Sequence, residues 1–256
     1  MKALFSRHIV VLQIAFFLLM IGLWQLASVT GRINPFTVSS PAVIADQLWD
    51  WLRDGSLFGN IAATLKIVSM GYITGLVVGV AIGVTNSLSP TLRAYFDPFL
   101  VFGNSLPRIV LIPFFITWLG FGIAPKVIVV FLVLVFLVAI NIENGMRQIG
   151  SDIVAHARIL GAGAGGLFRD VYLPGIGLWV LISARICIGY ALQAAIVSEF
   201  FGSHAGLGFL VLKGEAAYDV GTIYAALVVT VILALIFDFL LGLVEHRTMR
   251  WLPSAD

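Results

Sequence analysis

The sequence has very little cysteine and very little charge. Its single cysteine, Cys187, falls in an apolar stretch, so an intrachain disulfide and a metal site built from several thiolates are both excluded. Charged residues make up only 11% of the 256 residues, and the formal net charge is +2. Proteins that bind nucleic acid present a concentrated basic face, and this small, scattered excess of charge excludes that class.

Motifs for nucleotide, metal and hydrolytic chemistry are also missing. The sequence has no G-x-x-x-x-G-K-[ST] phosphate loop, no H-E-x-x-H pair and no G-x-S-x-G elbow. The histidines all fall outside the long apolar segments; they are His8, His156, His204 and His246. We therefore predict no metal site, no catalytic residues and no cofactor bound by this chain.

Hydrophobic residues are abundant, at 60% of the chain, which is far above the range of soluble globular proteins. A membrane helix needs about 20 consecutive apolar residues. Six segments qualify: 9–29, 63–87, 97–118, 127–143, 175–198 and 222–243. The first is interpreted as a retained span, because its apolar run is long for a signal peptide and no clean cleavage site follows. We predict an all-α, polytopic membrane bundle with six transmembrane helices.

The basic residues are distributed unevenly between the two sides of this bundle. One side carries Lys2, Arg7, Arg93, Arg147, Arg158, Arg169, Arg247 and Arg250. The opposite side carries Arg32, Arg53, Lys126 and Lys213. The positive-inside rule predicts that both termini are cytoplasmic and that residues 144–174 form the longest cytoplasmic loop.

Residues 1–62 are predicted to be an N-terminal transmembrane helix followed by a periplasmic interfacial segment. Within that segment, SSPAVIADQLWDWLRDG has the pattern of a short amphipathic helix. One of its two serines would cap the helix, with Pro41 in the first turn. Trp49 and Trp51 are expected to lie in the lipid headgroup layer. Residues 63–250 are predicted to form a five-helix core.

Glycine recurs at every fourth residue of the second span. These glycines line one helical face without side chains; they are Gly71, Gly75, Gly79 and Gly83. A face of this kind allows another helix to approach closely. We predict a tight helix contact there, either within the subunit or between two copies.

Two prolines interrupt the third span, at Pro107 and Pro113. Each proline removes a backbone donor and disturbs the preceding turn. Irregular backbone at membrane depth is tolerated only beside protein or a water-filled cavity. The third span therefore indicates a translocation path.

Residues 155–174 read AHARILGAGAGGLFRDVYLP and resemble the EAA loop of ATP-binding-cassette (ABC) importer permeases. The pattern runs from Glu-Ala-Ala through a glycine to a final Leu-Pro, here Leu173 and Pro174, although Ala155 replaces its glutamate and His156 its first alanine. The later stretch ISARICIGYALQAAIVSEFFGSHAGLGFLV and the loop TWLGFGIAPK resemble the nitrate, sulfonate and taurine branch of that family.

The resemblance implies a type I ABC importer permease in the bacterial inner membrane. It implies a second copy of this chain, two cytoplasmic ATPase subunits that bind ATP and Mg²⁺, and a periplasmic substrate-binding protein. The residues matched to the ATPase-coupling loop are Ala157, Arg158, Leu160, Gly161, Ala162, Phe168 and Arg169. Glycines separate two short helical pieces there, a form suited to a knob that enters a groove on a partner.

Polar groups within the spans are the remaining candidates for function. The residues predicted to line the path are Asn104, Arg108, Arg185, Gln193, Ser198 and Glu199. A charge at mid-membrane is costly unless it faces protein or water. Arg185 is therefore either a binding element for an anion or a structural partner of Glu143, Asp238 or backbone carbonyls. Glu199 either has a gating role or marks where the fifth span meets water.

Two other functions compete with an ABC permease. An ion-coupled secondary transporter acting without an ATPase would show a repeated half and paired membrane carboxylates. A channel or scaffold would oligomerise through the glycine face. The sequence favours the permease, and we expect a small anionic solute such as a sulfonate, nitrate, taurine or a carboxylate.

Overall fold

The computed structural model describes residues 2–248, and within this range the regular structure is entirely helical. The helices are α1 (Lys2–Val29), α2 (Pro41–Arg53), α3 (Ser56–Leu88), α4 (Pro90–Ser105), α5 (Ile112–Leu119), α6 (Ala124–Arg147), α7 (Ser151–Ile159), α8 (Ala164–Leu167), α9 (Leu173–Glu199), α10 (Leu207–Ala216) and α11 (Val220–Thr248). A 3₁₀ turn over Arg108–Leu111 precedes α5, and a π turn over Phe168–Tyr172 joins α8 to α9. Of the basic residues used for orientation, Arg250 lies outside the described residues.

Five of the six predicted spans are continuous helical segments long and apolar enough to cross a membrane; they are Val11–Val29, Ser56–Leu88, Ala124–Arg147, Ala164–Glu199 and Val220–Glu245. The predicted third span, 97–118, is instead a bent pair in which Pro90–Ser105 and Arg108–Leu119 meet at 82°. Pro107 stands at this break, since it cannot donate a backbone hydrogen bond. Pro113 lies in the first turn of α5, where proline is tolerated, and the turn before it, Arg108–Leu111, is a 3₁₀ turn.

The glycines of α3 pack against α6 and fix the relative direction of the two helices. Gly71 lies against Val130, and Gly83 lies against Ile142. Residue numbers therefore rise together along both helices, so α3 and α6 are parallel. The chain between two parallel spans must return across the membrane, so the bent pair is one crossing and residues 2–248 contain six spans.

The main core lies where α3, α6 and α9 meet. Gly75 and Gly79 face Leu134 and Val138 of α6, and all four residues are buried. Small residues on α9 complete the contact, with Cys187 and Ala191 fully buried against the same cluster. The glycine contact is thus within the subunit, one of the two alternatives that the sequence left open.

A second core joins the short helices at one end of the bundle. Ser40 caps α2 by accepting a hydrogen bond from the Val43 amide at 3.3 Å. Trp51 is only 7% exposed and packs in a cluster that includes Leu207, so its predicted position among headgroups is wrong. Trp49 remains 55% exposed, with the Arg53 guanidinium 5.0 Å from the centre of its ring. We call this end, which holds α2 and α10, the α10 end, and the opposite one, which holds residues 148–172, the loop end.

Candidate functional site

A cavity of about 440 Å³ opens beside the break in the third span. It is lined by Asn104, Leu106, Pro107, Arg108, Ile109, Val133, Leu137, Tyr190, Gln193 and Ala194. We call it the break cavity. Three of the predicted path residues, Asn104, Arg108 and Gln193, come together in it, although α4 and α9 are far apart in sequence.

Arg108 repairs the backbone that the break leaves unsatisfied. In a continuous helix the Asn104 carbonyl would accept from the Arg108 amide, but that amide bonds Leu106 at 2.8 Å instead. The Arg108 guanidinium donates to the Asn104 carbonyl at 2.6 Å and to the Asn104 side-chain oxygen at 3.1 Å. It also donates to the carbonyls of Leu106 at 3.3 Å and Val133 at 3.0 Å. These acceptors are neutral, so the positive charge beside the cavity is not cancelled by a carboxylate.

Arg185 lies outside the break cavity and forms an ion-paired cluster with two carboxylates of α11. Its guanidinium binds Asp238 in bidentate geometry at 2.7 and 3.1 Å, and it binds Glu245 at 2.9 Å. Among the partners that the sequence offered, the structure selects Asp238 and not Glu143. Glu143 pairs instead with Arg93 at 2.9 Å and with Arg147 at 2.5 Å.

The cluster of Arg185, Asp238 and Glu245 lies on the surface of the single chain. The side chains of Arg185 and Asp238 are 43% and 50% exposed, although both residues belong to membrane-spanning helices. Charged groups facing hydrocarbon are costly even when paired. This face of α9 and α11 is therefore suited to contact with protein or water and not with lipid tails.

Ser198 and Glu199 are completely buried, which differs from the prediction that they line a path. The Ser198 hydroxyl donates to the Ala195 carbonyl at 2.7 Å. Glu199 does not mark a meeting with water: its carboxylate accepts from the Gly208 amide at 2.7 Å and so caps the start of α10. Neither side chain has accessible surface for a solute in this conformation.

Two residues that the sequence analysis missed also hold the start of α10. Asn60 accepts from the Gly206 amide at 2.9 Å, and Thr64 accepts from the Leu207 amide at 2.8 Å. Both lie on α3, one helical turn apart and therefore on one face. This pair of polar residues at a spacing of four in an apolar helix was the signal that could have revealed them.

The loop matched to the coupling motif carries apolar side chains with nothing packed over them. Ile159 and Leu160 are 81% and 87% exposed at the end of α7. Gly161 follows with φ +89, a left-handed conformation that glycine adopts without strain, and a side chain there would meet no atom within 4 Å. Arg158, Phe168 and Arg169 are exposed as well, whereas Ala157 and Ala162 are half-buried.

Comparison with known proteins decides the family. Residues 71–250, which are most of the chain, match the model of the binding-protein-dependent transport system inner membrane component. The chain belongs to this family. It is accordingly a membrane-embedded permease subunit of an ABC importer and has no catalytic role of its own.

Individual relatives and one solved structure agree with this assignment. The permease is 25% identical to a putative aliphatic sulfonates transport permease protein of Bacillus subtilis, over 92% of this chain and 86% of the relative. It is 29% identical to a riboflavin transport system permease protein of Chloroflexus aurantiacus, over 93% and 88%. Its fold is similar to a chain of the inward-facing MetNI methionine ABC transporter, with a TM-score of 0.67 at 19% identity, over 80% of this chain and 99% of that chain.

Proposed function

We propose that the permease forms, with a second copy of itself, the path for a small organic anion across the bacterial inner membrane. Two cytoplasmic ATPase subunits, which bind ATP and Mg²⁺, would drive the cycle, and a periplasmic binding protein would deliver the solute. The observation that carries the choice of an anion is the break cavity, where the charge of Arg108 has only neutral partners. The similarity to an aliphatic sulfonates permease supports the same class.

The second copy is inferred from the exposed cluster of Arg185, Asp238 and Glu245. A monomer would present these three charges to lipid, whereas a dimer related by a two-fold axis can cover them or enclose them in a shared aqueous path. We therefore place this face toward the other copy. Arg185 keeps its proposed place beside the path on that basis.

The orientation follows from the basic residues at the loop end. Arg93, Arg147, Arg158 and Arg169 all lie at this end, and Arg158 sits in the loop between two membrane-spanning segments. The positive-inside rule then places the loop end in the cytoplasm and the α10 end in the periplasm. The exposed Ile159 and Leu160 thereby face the compartment where the ATPase subunits reside.

We propose that residues 151–172 couple the permease to an ATPase subunit. The exposed apolar pair Ile159 and Leu160 is an anchor of the kind that fills a groove on a partner, and Arg158 and Arg169 flank it. Gly161 sets the turn that presents this anchor. Its positive φ, and not a lack of space, is the feature that a substitution would disturb.

The test of coupling replaces Gly161 in the assembled complex. We expect Gly161→Ala to be nearly as harmful as Gly161→Val, because both strain a left-handed residue, and Gly161→Asn to be milder because asparagine tolerates this region. All three proteins should insert normally, yet the first two should lose ATP hydrolysis stimulated by solute-loaded binding protein. Gly163→Ala is the matched control, since Gly163 has an ordinary φ of −73° and open space around it. Unchanged stimulation in Gly161→Val would exclude this loop as the coupling element.

The solute is tested by uptake into vesicles that hold the reconstituted complex. Labelled sulfonate, nitrate, aromatic carboxylate and riboflavin should be compared, with and without internal ATP. We expect ATP-dependent uptake of an anion. Uptake of riboflavin alone would contradict the anionic class, and uptake driven by an ion gradient without ATP would favour the alternative of a secondary transporter.

A further inference from the structure

A second cavity, of about 250 Å³, lies at the α10 end of the bundle. It is enclosed by α3, by the start of α6 and by the turn that follows α9. Its lining residues are Ala63, Lys66, Ile67, Phe121, Gly122, Ile123, Lys126, Gly202, Ser203, His204 and Ala205. We call it the lysine cavity.

The titratable residues that line this cavity are all basic. They are Lys66, Lys126 and His204, and no aspartate or glutamate is among the lining residues. Lys126 is only 5% exposed and donates to the Ser203 hydroxyl. Its ammonium group is thus held in place by protein.

Lys66 differs in its partners from Arg108 and Arg185, the two cations that we propose for the path. The Arg108 guanidinium already makes four hydrogen bonds, and the Arg185 guanidinium is bound by two carboxylates. Lys66 is an exposed residue and forms no ion pair with any residue in the described part of the chain. Its charge is therefore available to an anion that enters the cavity.

Apart from Lys66, Lys126, His204 and Ser203, the residues that line the cavity are apolar. The ring of Phe121 occupies the space where a side chain at position 202 would begin, and Gly202 has φ +66. Phe121 is still 77% exposed, so its other surface is open to a ligand. The volume is below the 300 Å³ or so at which pockets for drug-sized ligands begin, which suits a small solute.

We propose that the lysine cavity is an entry site that receives the anionic head group of the solute at the periplasmic end of the permease. Lys66 and His204 would bind the head group at the rim, while Lys126 adds positive potential from the base. Phe121 and Ile123 would contact a short alkyl chain. This inference rests on the proposed function for its anionic solute and for the orientation of the α10 end.

The test measures anion binding at the lysine cavity and does not depend on transport. Ala205→Cys places a thiol on the lining, and the native Cys187 is fully buried and should stay unreactive. The assembled complex is placed in lipid nanodiscs, and the thiol is reacted with the anionic reagent sulfonatoethyl methanethiosulfonate and with the cationic reagent trimethylammonioethyl methanethiosulfonate. The ratio of the anionic to the cationic rate should be higher than the same ratio for a free thiol in solution. Ethanesulfonate should slow the reaction in a saturable way, and an uncharged alcohol of the same length should not.

Second substitutions in the Ala205→Cys protein assign the effect to Lys66. Lys66→Gln should lower the preference for the anionic reagent severalfold and abolish protection by ethanesulfonate, because it removes the exposed lysine of the lining. Lys213→Gln, which removes an exposed lysine of α10 outside the lining, should leave both unchanged. A charge preference without protection would mean a basic surface and no binding site, and would overturn the proposal.

The labelling experiment tests the entry site, and the uptake experiment tests the proposed function, so either hypothesis can be refuted without the other. If the complex takes up an anion but Lys66→Gln changes neither labelling nor protection, the lysine cavity is not an entry site and the proposed function stands. If ethanesulfonate protects the thiol but no anion is taken up, the anionic solute of the proposed function is wrong, and the site loses its role in transport.

Discussion

The contact between α3 and α6 can be tested by adding one methyl group. A Cβ atom built at Gly75 would lie 2.8 Å from the Leu134 Cβ and 3.3 Å from the Phe131 carbonyl oxygen. Both neighbours are next to the backbone and cannot rotate away, so Gly75→Ala must push the two helices apart. Overpacking of this kind costs about 1–3 kcal/mol.

The matched control is Gly59→Ala, on the same helix. A Cβ atom at Gly59 would meet nothing within 4 Å, so only the helix propensity changes, and this favours alanine by at most about 1 kcal/mol. Since both variants gain this propensity, they should differ in stability by roughly the overpacking cost, about 1–3 kcal/mol. In a chain of this size each kcal/mol moves Tm by about 2–4 °C, so the melting temperature of Gly75→Ala should be lower by about 2–12 °C.

The assay is thermal unfolding of the purified permease in mild detergent, followed by the exposure of the buried Cys187 to a thiol-reactive dye. Cys187 belongs to the core cluster formed by α3, α6 and α9, so its labelling reports separation of these helices. Equal melting temperatures for the two variants would refute the close packing of α3 on α6, and with it the argument that the bent pair must cross the membrane.

Two further predictions concern side chains whose environment the sequence did not reveal. Arg185→Gln should reduce the yield of monodisperse permease in size-exclusion chromatography, because it leaves the charges of Asp238 and Glu245 uncompensated. Adding Asp238→Asn and Glu245→Gln to this variant should restore the yield. A yield that stays low would contradict the ion-paired cluster. Trp51→Ala should destabilise the permease by about 3–5 kcal/mol in denaturant unfolding, as expected for a buried tryptophan, whereas Trp49→Ala should change it little. Equal effects of the two tryptophan variants would contradict the burial of Trp51.

Features that depend on one helix alone were predictable from the sequence. Membrane spans follow from the length of apolar runs, and the lipid-compatible face of a helix follows from its period. The stripe from Gly71 to Gly83 indicated a close helix contact for the same reason. The start of α2 was readable because Ser40 and Pro41 act locally. The family resemblance added the coupling loop, which composition alone did not indicate.

Features that depend on which helices meet were not predictable. Arg185 and Asp238 are separated by 53 residues, and several acids were equally plausible as partners before the packing of α9 on α11 was known. Glu199 stands at the end of a span, where exposure to water is the ordinary expectation, but the chain returns through α10 and buries it. Trp51 was misassigned for the same reason, since it belongs to a buried cluster that combines residues of α2, α10 and α11.

Arg108 shows that a structural role and a role in the path need not exclude each other. The break at Pro107 leaves carbonyl oxygens without their helical donors, and at membrane depth lipid tails cannot satisfy them, so protein groups or water in a cavity must do so. A guanidinium has five N–H donors, and that of Arg108 donates four hydrogen bonds to Asn104, Leu106 and Val133. One donor remains, and the whole charge remains because the acceptors are neutral. The arginine that stabilises the broken helix therefore also gives the break cavity its positive potential, so the irregular backbone and the affinity for an anion that we propose have a single physical cause.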